Sequence, residues 1–207
     1  MPSSDFTAAE AAFVTGRPLS AIRKAVSEGA LRARRRGTDR AGTRLLGLPE
    51  LRYLRALDRL QDRLSPVAQG ELYAAVRALG PDEHRVELGP LAVDLTTFDR
   101  EVEERLRRLG AVREAVDGHG QKDPVLRGTD VSVYVIAALV GGGGPDEALY
   151  AYPSLSPEQV MAAAEYARAY PKKGRPYPAK SFKRMLTELE WPDDGEEADD
   201  ETPAVEP

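Results

Sequence analysis

Residues Phe6 to Gly37 read FTAAEAAFVTGRPLSAIRKAVSEGALRARRRG, and the spacing of apolar residues and breaks in this stretch decides the architecture of the front of the chain. Thr7 stands three residues before Glu10, the spacing of a capping box, so a helix is expected through Ala8, Ala11, Ala12 and Phe13. Thr15-Gly16-Arg17-Pro18 breaks it. A second helix from Leu19 to Glu28 places Leu19, Ile22, Ala25 and Val26 on one face, turns Ser20, Arg23, Lys24 and Ser27 outward, and stops at Gly29. Beyond it, Leu31 to Arg36 and Arg44 to Leu48 read as two strands joined by the polar loop Gly37 to Thr43, where Gly42 can supply a turn. From Pro49 another helix carries an apolar stripe of Tyr53, Leu57, Leu60 and Leu64. That stripe is a candidate dimer seam, or else packs on the two preceding helices.

Helix, tight turn, helix and a basic two-stranded wing together resemble the winged helix-turn-helix of the MerR and excisionase group, over roughly Phe6 to Leu64. The resemblance implies that the second helix enters the major groove, with Ser20, Arg23 and Lys24 facing base edges. Arg32, Arg34, Arg35, Arg36, Arg40 and Arg44 would then hold phosphates, and Arg17 in the turn is a further DNA-binding candidate. The competing reading of the same arginines is a solvated face, and helix-turn-helix frames also serve as protein-interaction modules.

Charge along the chain agrees with separate partners for separate segments. The 207 residues carry a net charge of −5, yet Met1 to Leu64 holds thirteen Lys/Arg against seven Asp/Glu. Arg168 to Arg184 has seven bases and no acid, whereas Asp193 to Pro207 has eight acids and no base. A basic patch in an acidic chain is the electrostatic footprint of a nucleic-acid site. The absence of cysteine excludes disulfides and thiolate metal sites. With neither an apolar run long enough for a membrane span nor a leader-like start, a cytoplasmic protein with no membrane association is expected.

The middle of the chain reads as a helix from about Val67 to Leu79, a hairpin of Arg85 to Leu88 with Leu91 to Leu95, and a charged helix from Thr97 to Leu109 closed by Gly110. Short extended pieces through Val116 and around Val125 to Thr129 precede a helix from Val131 to Val140 that stops at Gly141 to Gly144. Pro145 opens a short helix through Leu149, and Ser156-Pro157-Glu158-Gln159 caps a longer one to about Tyr170. A Pro- and Gly-containing linker follows, and Phe182, Met185, Leu186 and Leu189 then stand at i, i+3, i+4, i+7 of a further amphipathic helix.

The stretch Asp123 to Ala167, with Val125-Leu126-Arg127-Gly128-Thr129-Asp130-Val131-Ser132-Val133, the glycine turn and Tyr152-Pro153-Ser154-Leu155-Ser156-Pro157-Glu158, resembles the domain of unknown function 433, a family of VapB-type antitoxins. Asp130 and Ser132 replace an arginine and a proline common in that family, and His119 to Lys122 lengthens the first turn. The resemblance implies a small helical, homeodomain-like domain, a partner toxin of the PIN ribonuclease kind, and repression of the chain's own operon. The amphipathic segment would then dock into the toxin through Phe182, Met185, Leu186, Leu189 and Trp191. Arg175, Lys180, Lys183 and Arg184 would approach the toxin's acidic metal site. Packing of that helix on its own domain is an equal alternative.

No catalytic constellation competes with this reading. Gly141 to Gly144 lacks the Lys-Ser/Thr of a phosphate loop, His84 and His119 have no neighbouring ligands, and Glu101, Glu103 and Glu104 alternate with arginines as on a solvated helix with i, i+4 pairs. No enzyme activity, metal or cofactor is expected.

The expectation is therefore a mainly α chain. A winged helix-turn-helix occupies 1–64, a helical and hairpin connector 65–110, and the antitoxin-like helical domain 111–170. A linker and partner-binding segment follow at 171–191, and a disordered acidic tail at 192–207. Its partners would be operator DNA, a PIN-like ribonuclease toxin and a second copy of itself. A MerR-like regulator with no toxin is the alternative, and a nucleic-acid-processing enzyme the least favoured reading.

Overall fold

The computed structural model describes residues 5–36, 43–80, 82–172, 174, 177 and 178. Arg40 and every partner-binding candidate (Arg175, Lys180, Phe182, Lys183, Arg184, Met185, Leu186, Leu189 and Trp191) lie outside the described residues, as does the acidic tail. The described chain is mainly helical, with three small antiparallel sheets.

The front follows the order strand, helix, helix, hairpin. Strand β1 (Phe6–Thr7) leads into α1 (Ala8–Thr15), where Thr7 and Glu10 form the anticipated capping box. Gly16 ends α1 at φ 76°, a left-handed conformation that costs glycine little. After Pro18, α2 (Leu19–Ser27) buries Ile22 and half-buries Leu19, Ala25 and Val26. Strands β2 (Arg34–Arg36) and β3 (Thr43–Leu46) pair antiparallel, and β1 adds to β3 to give the sheet order β1-β3-β2. Two residues are too short to declare β1 by alternation, so the sequence pattern does not reveal it.

Helix α3 (Leu48–Leu60) and α4 (Pro66–Ala78) pack on one another, with the Tyr53 and Tyr73 rings 4.8 Å apart. Tyr53 is buried, and Leu57, Leu60 and Leu64 pack against the same core. The stripe offered as a dimer seam thus packs in part on the chain's own core, with Leu57, Leu60 and Leu64 left half-buried. A hairpin of β4 (Arg85–Leu88) and β5 (Leu91–Asp94) follows, turning at Gly89, and leads into α5.

α5 (Thr96–Glu114) corrects the expectation of a helix closed at Gly110. Gly110 lies inside it, because Leu109 and Val112 on either side are buried in two different cores and their packing outweighs the propensity cost of one glycine, about 1 kcal/mol. The first core joins α1 to α4, the hairpin and Val102 and Leu109 of α5, and is continuous across residue 64. The second joins Val112 and Val116 to the helices that follow the two-stranded β6 (Val116–Asp117) and β7 (Val125–Leu126). These helices are α6 (Val133–Gly143), α7 (Pro145–Ala151) and α8 (Pro157–Ala169).

α6 also departs from expectation: it runs through Gly141, Gly142 and Gly143 and stops only at Gly144, φ 82°. A Cβ at Gly143 would lie 2.9 Å from Cβ of Glu147, so the glycine permits the close turn into α7. α8 opens with the capping box read from Ser156 and Gln159.

The charged face of α5 is exposed at Glu103, Glu104 and Arg107, with Arg108 feeling the charge of Glu104 one turn back, but several of its charges are also tied to other helices. Glu101 binds Arg55 of α3 at 2.6 Å, Arg108 forks onto the buried Glu165 of α8, and Arg113 binds Glu10 of α1. Deeper still, Arg52 and Asp99, both buried, form a bidentate pair at 2.7 Å for each bond, and His84 Nδ1 sits 2.6 Å from the same carboxylate. α5 is therefore a spine tied by charge to α1, α3 and α8.

Candidate nucleic-acid interface

Helix α2 leaves Ser20, Arg23, Lys24 and Ser27 exposed because its apolar residues recur at the spacing that turns only one face to the core. Lys24 is 3.8 Å from Glu28, an exposed pair worth little, and Arg23 has no ion pair with a described residue. The structure brings the hairpin beside this helix, since Arg44 donates to the carbonyl of Val26 at 3.3 Å. The backbone N–H of Arg32 donates to the Tyr73 hydroxyl at 2.8 Å, which pins the start of the hairpin to α4. That hydroxyl in turn donates to Glu50 at 2.8 Å, and burial first, then the Glu50 carboxylate, push its pKa up to about 12.

Arg34, Arg35 and Arg36 are all exposed along β2. Arg34 lies 3.9 Å from Asp5. Arg35 stands directly opposite Arg44 in the register of β2 and β3, and like charges in that position repel. The hairpin thus carries an arginine pair that an anion would relieve. Arg17 does not join this set: it is half-buried and donates to Gln61 at 3.0 Å, while its Nη1 is buried without a partner.

Across from α2 a groove of about 1080 Å³ separates α2 and β3 from the end of α8 and the 119–122 loop. Leu19, Arg23, Val26, Arg44 and Leu46 line one wall, and His119, Lys122, Tyr134, Tyr170 and Lys172 the other. Lys172 is engaged already, over the rings of Tyr134 and Tyr177 and 4.0 Å from Asp123. Glu10 is the sole acid among the described lining residues. Burial pushes its carboxyl up, but hydrogen bonds from the Thr7 N–H, the Tyr170 hydroxyl and Arg113 outweigh that and hold it below the ordinary carboxylate value. His119 packs edge-on against Tyr166 and Tyr170, with Nδ1 2.9 Å from the Tyr166 hydroxyl; burial, and then the Arg113 charge, lower its pKa.

Sequence reasoning named Arg23 and Arg44 but not the second wall. Tyr166 on α8 and Tyr170 at its C-cap stand four residues apart, a legible aromatic spacing, whereas nothing local announces that Tyr170 meets Glu10. Among the described residues no group of three or more His, Cys, Asp or Glu could hold a metal ion, and no helix is long and apolar enough to cross a membrane.

No solved structure matches the chain. An uncharacterized protein of Sinorhizobium fredii, y4eO, is 43% identical over 89 residues, which are 41% of this chain and 40% of that protein. The chain thus spans about two-fifths of the relative's length. The matched family span begins at His119 and so takes in the loop of residues 119–122. Residues 119–167 match the family described as protein of unknown function DUF433.

Proposed function

We propose that the chain is a DNA-binding antitoxin: it reads its own operator with α2 and the β2-β3 hairpin, and neutralises a PIN-like ribonuclease toxin through its C-terminal part. The observation that carries the DNA reading is the Arg35 and Arg44 pair set opposite one another beside the exposed Arg23 face of α2. A protein that held these charges only for solubility would gain by separating them; a phosphate between them turns repulsion into two charge-assisted contacts. The order β1-α1-α2-β2-β3 supports a winged helix-turn-helix, in which the helix after the tight turn supplies base contacts and the hairpin supplies phosphate contacts. The toxin partnership rests on the antitoxin-family resemblance of Asp123 to Ala167.

A second reading, a MerR-like regulator without a toxin, is favoured by one observation: the groove lies between α2 and the C-terminal helices, where an effector would sit. The two readings separate in one experiment. Anisotropy titration of the chain with the duplex upstream of its gene tests DNA reading, and co-purification with the product of the adjacent reading frame tests the toxin. Operator binding with no co-purified ribonuclease supports the regulator, and the absence of both defeats the proposal.

A further inference from the structure

We propose that the groove between α2 and the C-terminal helices is a binding site for a small planar anion, a ring bearing a carboxylate or phosphate. Its volume, about 1080 Å³, lies just above the usual range of ligand sites and leaves room for a ring and its charged group together. Leu19, Val26 and Leu46 offer an apolar wall, and the half-buried Tyr134 and Tyr170 with the exposed His119 ring offer an aromatic one. Lys172 and Arg113 already stand over the Tyr134 and Tyr170 rings, so a flat ring between the walls meets aliphatic side chains on one side and the remaining ring surface on the other.

The charge of the groove selects the sign. Among the described residues Arg23 has no ion pair and Arg44 donates to the Val26 carbonyl rather than to an acid, and Lys122 is exposed on the opposite wall. Glu10, the single acid among the described lining residues, is ion-paired with Arg113 and holds the Thr7 N–H and the Tyr170 hydroxyl as well, so its charge is offset toward an incoming anion. Burial and the Arg113 charge keep His119 neutral near pH 7, leaving its ring free to stack without the solvation cost of an imidazolium. Arg23 and Arg44 on one side and Lys122 on the other give a charge clamp across a ring slot, the arrangement that recognises an aromatic carboxylate or a nucleotide.

One consequence rests on the DNA reading: Arg23 and Arg44 belong both to the groove and to the surface proposed to hold DNA, so an occupant withdraws them from DNA. The site itself is independent of that reading and is tested without DNA. The chain has two histidines, so the His119 ring signal in proton NMR is assigned by comparison with His119→Gln. Salicylate and adenosine 5′-monophosphate serve as ring anions, with adenosine, inorganic phosphate and a peptide of residues 193–207 as controls. Either ring anion should move the His119 signal saturably, salicylate alone indicating a carboxylate ligand and the nucleotide alone a phosphate one. Arg23→Ala and Lys122→Ala, at exposed residues outside both cores, should each weaken that binding about tenfold, the loss of one charge-assisted contact. Adenosine and phosphate should bind far more weakly than the ring anions. The proposal is overturned if neither ring anion moves His119 at about ten millimolar, if binding ignores Arg23 and Lys122, if phosphate alone binds as well, or if the acidic peptide binds more tightly than both ring anions. The last result would assign the groove to the chain's own acidic segment.

Discussion

The hydroxyl of Tyr170, at the C-terminal end of α8, donates to Oε1 of Glu10 on α1 at 2.9 Å. The same carboxylate accepts the Thr7 N–H at 2.7 Å through Oε2 and binds Arg113 of α5. One side chain therefore caps the first helix and clamps the front of the chain to its C-terminal helices.

Because hydrogen bonds lower the folded pKa of Glu10 despite its burial, its ionisation stabilises the fold above the ordinary carboxylate range, and that contribution is lost as pH falls through the lowered folded value. Glu10→Gln should cost about 1–3 kcal/mol at neutral pH, the range for an unsatisfied buried partner. The gap to the wild type should shrink as pH is lowered below about 4. Urea melts at pH 7 and pH 3 check this, and a gap that widens in acid contradicts it.

The buried Arg52 and Asp99 pair makes a sharper demand. Removing one partner leaves the other charge buried, so Arg52→Met or Asp99→Leu alone should destabilise by about 3–5 kcal/mol, and the double substitution should be less severe than either. Thermal melts of the three variants decide it. Equal losses in all three would mean that His84 and the Glu83 carbonyl, rather than the pair, hold this site together.

On DNA, Arg23→Ala and Lys24→Ala should relax base preference at on the order of 1–3 kcal/mol for each lost bidentate contact. Competition between operator and scrambled duplexes measures it. Substitutions on α2 that weaken both duplexes alike would remove the base-reading role from this helix.

The local grammar of this chain was legible where one residue type decides the geometry. The two capping boxes at Thr7 and Ser156, the stop at Gly16 and the hairpin turning at Gly89 all follow from such residues. The pattern misleads where contacts from afar override it: Gly110 stays helical because Leu109 and Val112 beside it are buried, and α6 runs on through the exposed Gly141 to Gly143 into the close turn that Gly143 makes against Glu147 of α7. It misleads again where charge partners are distant, since Glu101 and Arg108 look like a solvated stripe until α3 and α8 are placed around them. The exposed face of α2 was readable from period alone, whereas the opposite wall of the groove was not.

Neutralisation should depend on residues beyond the described core. A chain ending at Pro178 retains the Tyr170 clamp and the Tyr177 hydroxyl bond to Asp123 at 2.7 Å, so it should fold and bind DNA yet fail to rescue growth against the toxin. Phe182→Asp in the full chain should fail in the same way. Rescue by the chain ending at Pro178 would move the toxin interface into residues 119–167.

The central claim is that the opposed arginines of the hairpin hold DNA phosphates, and salt dependence tests it most directly. The logarithm of operator affinity against the logarithm of salt concentration should fall linearly. Arg35→Ala and Arg44→Ala should each weaken operator and scrambled duplex alike and reduce the slope by about one. An unchanged slope in both variants, or tighter DNA binding once the repulsion is removed, would contradict the account.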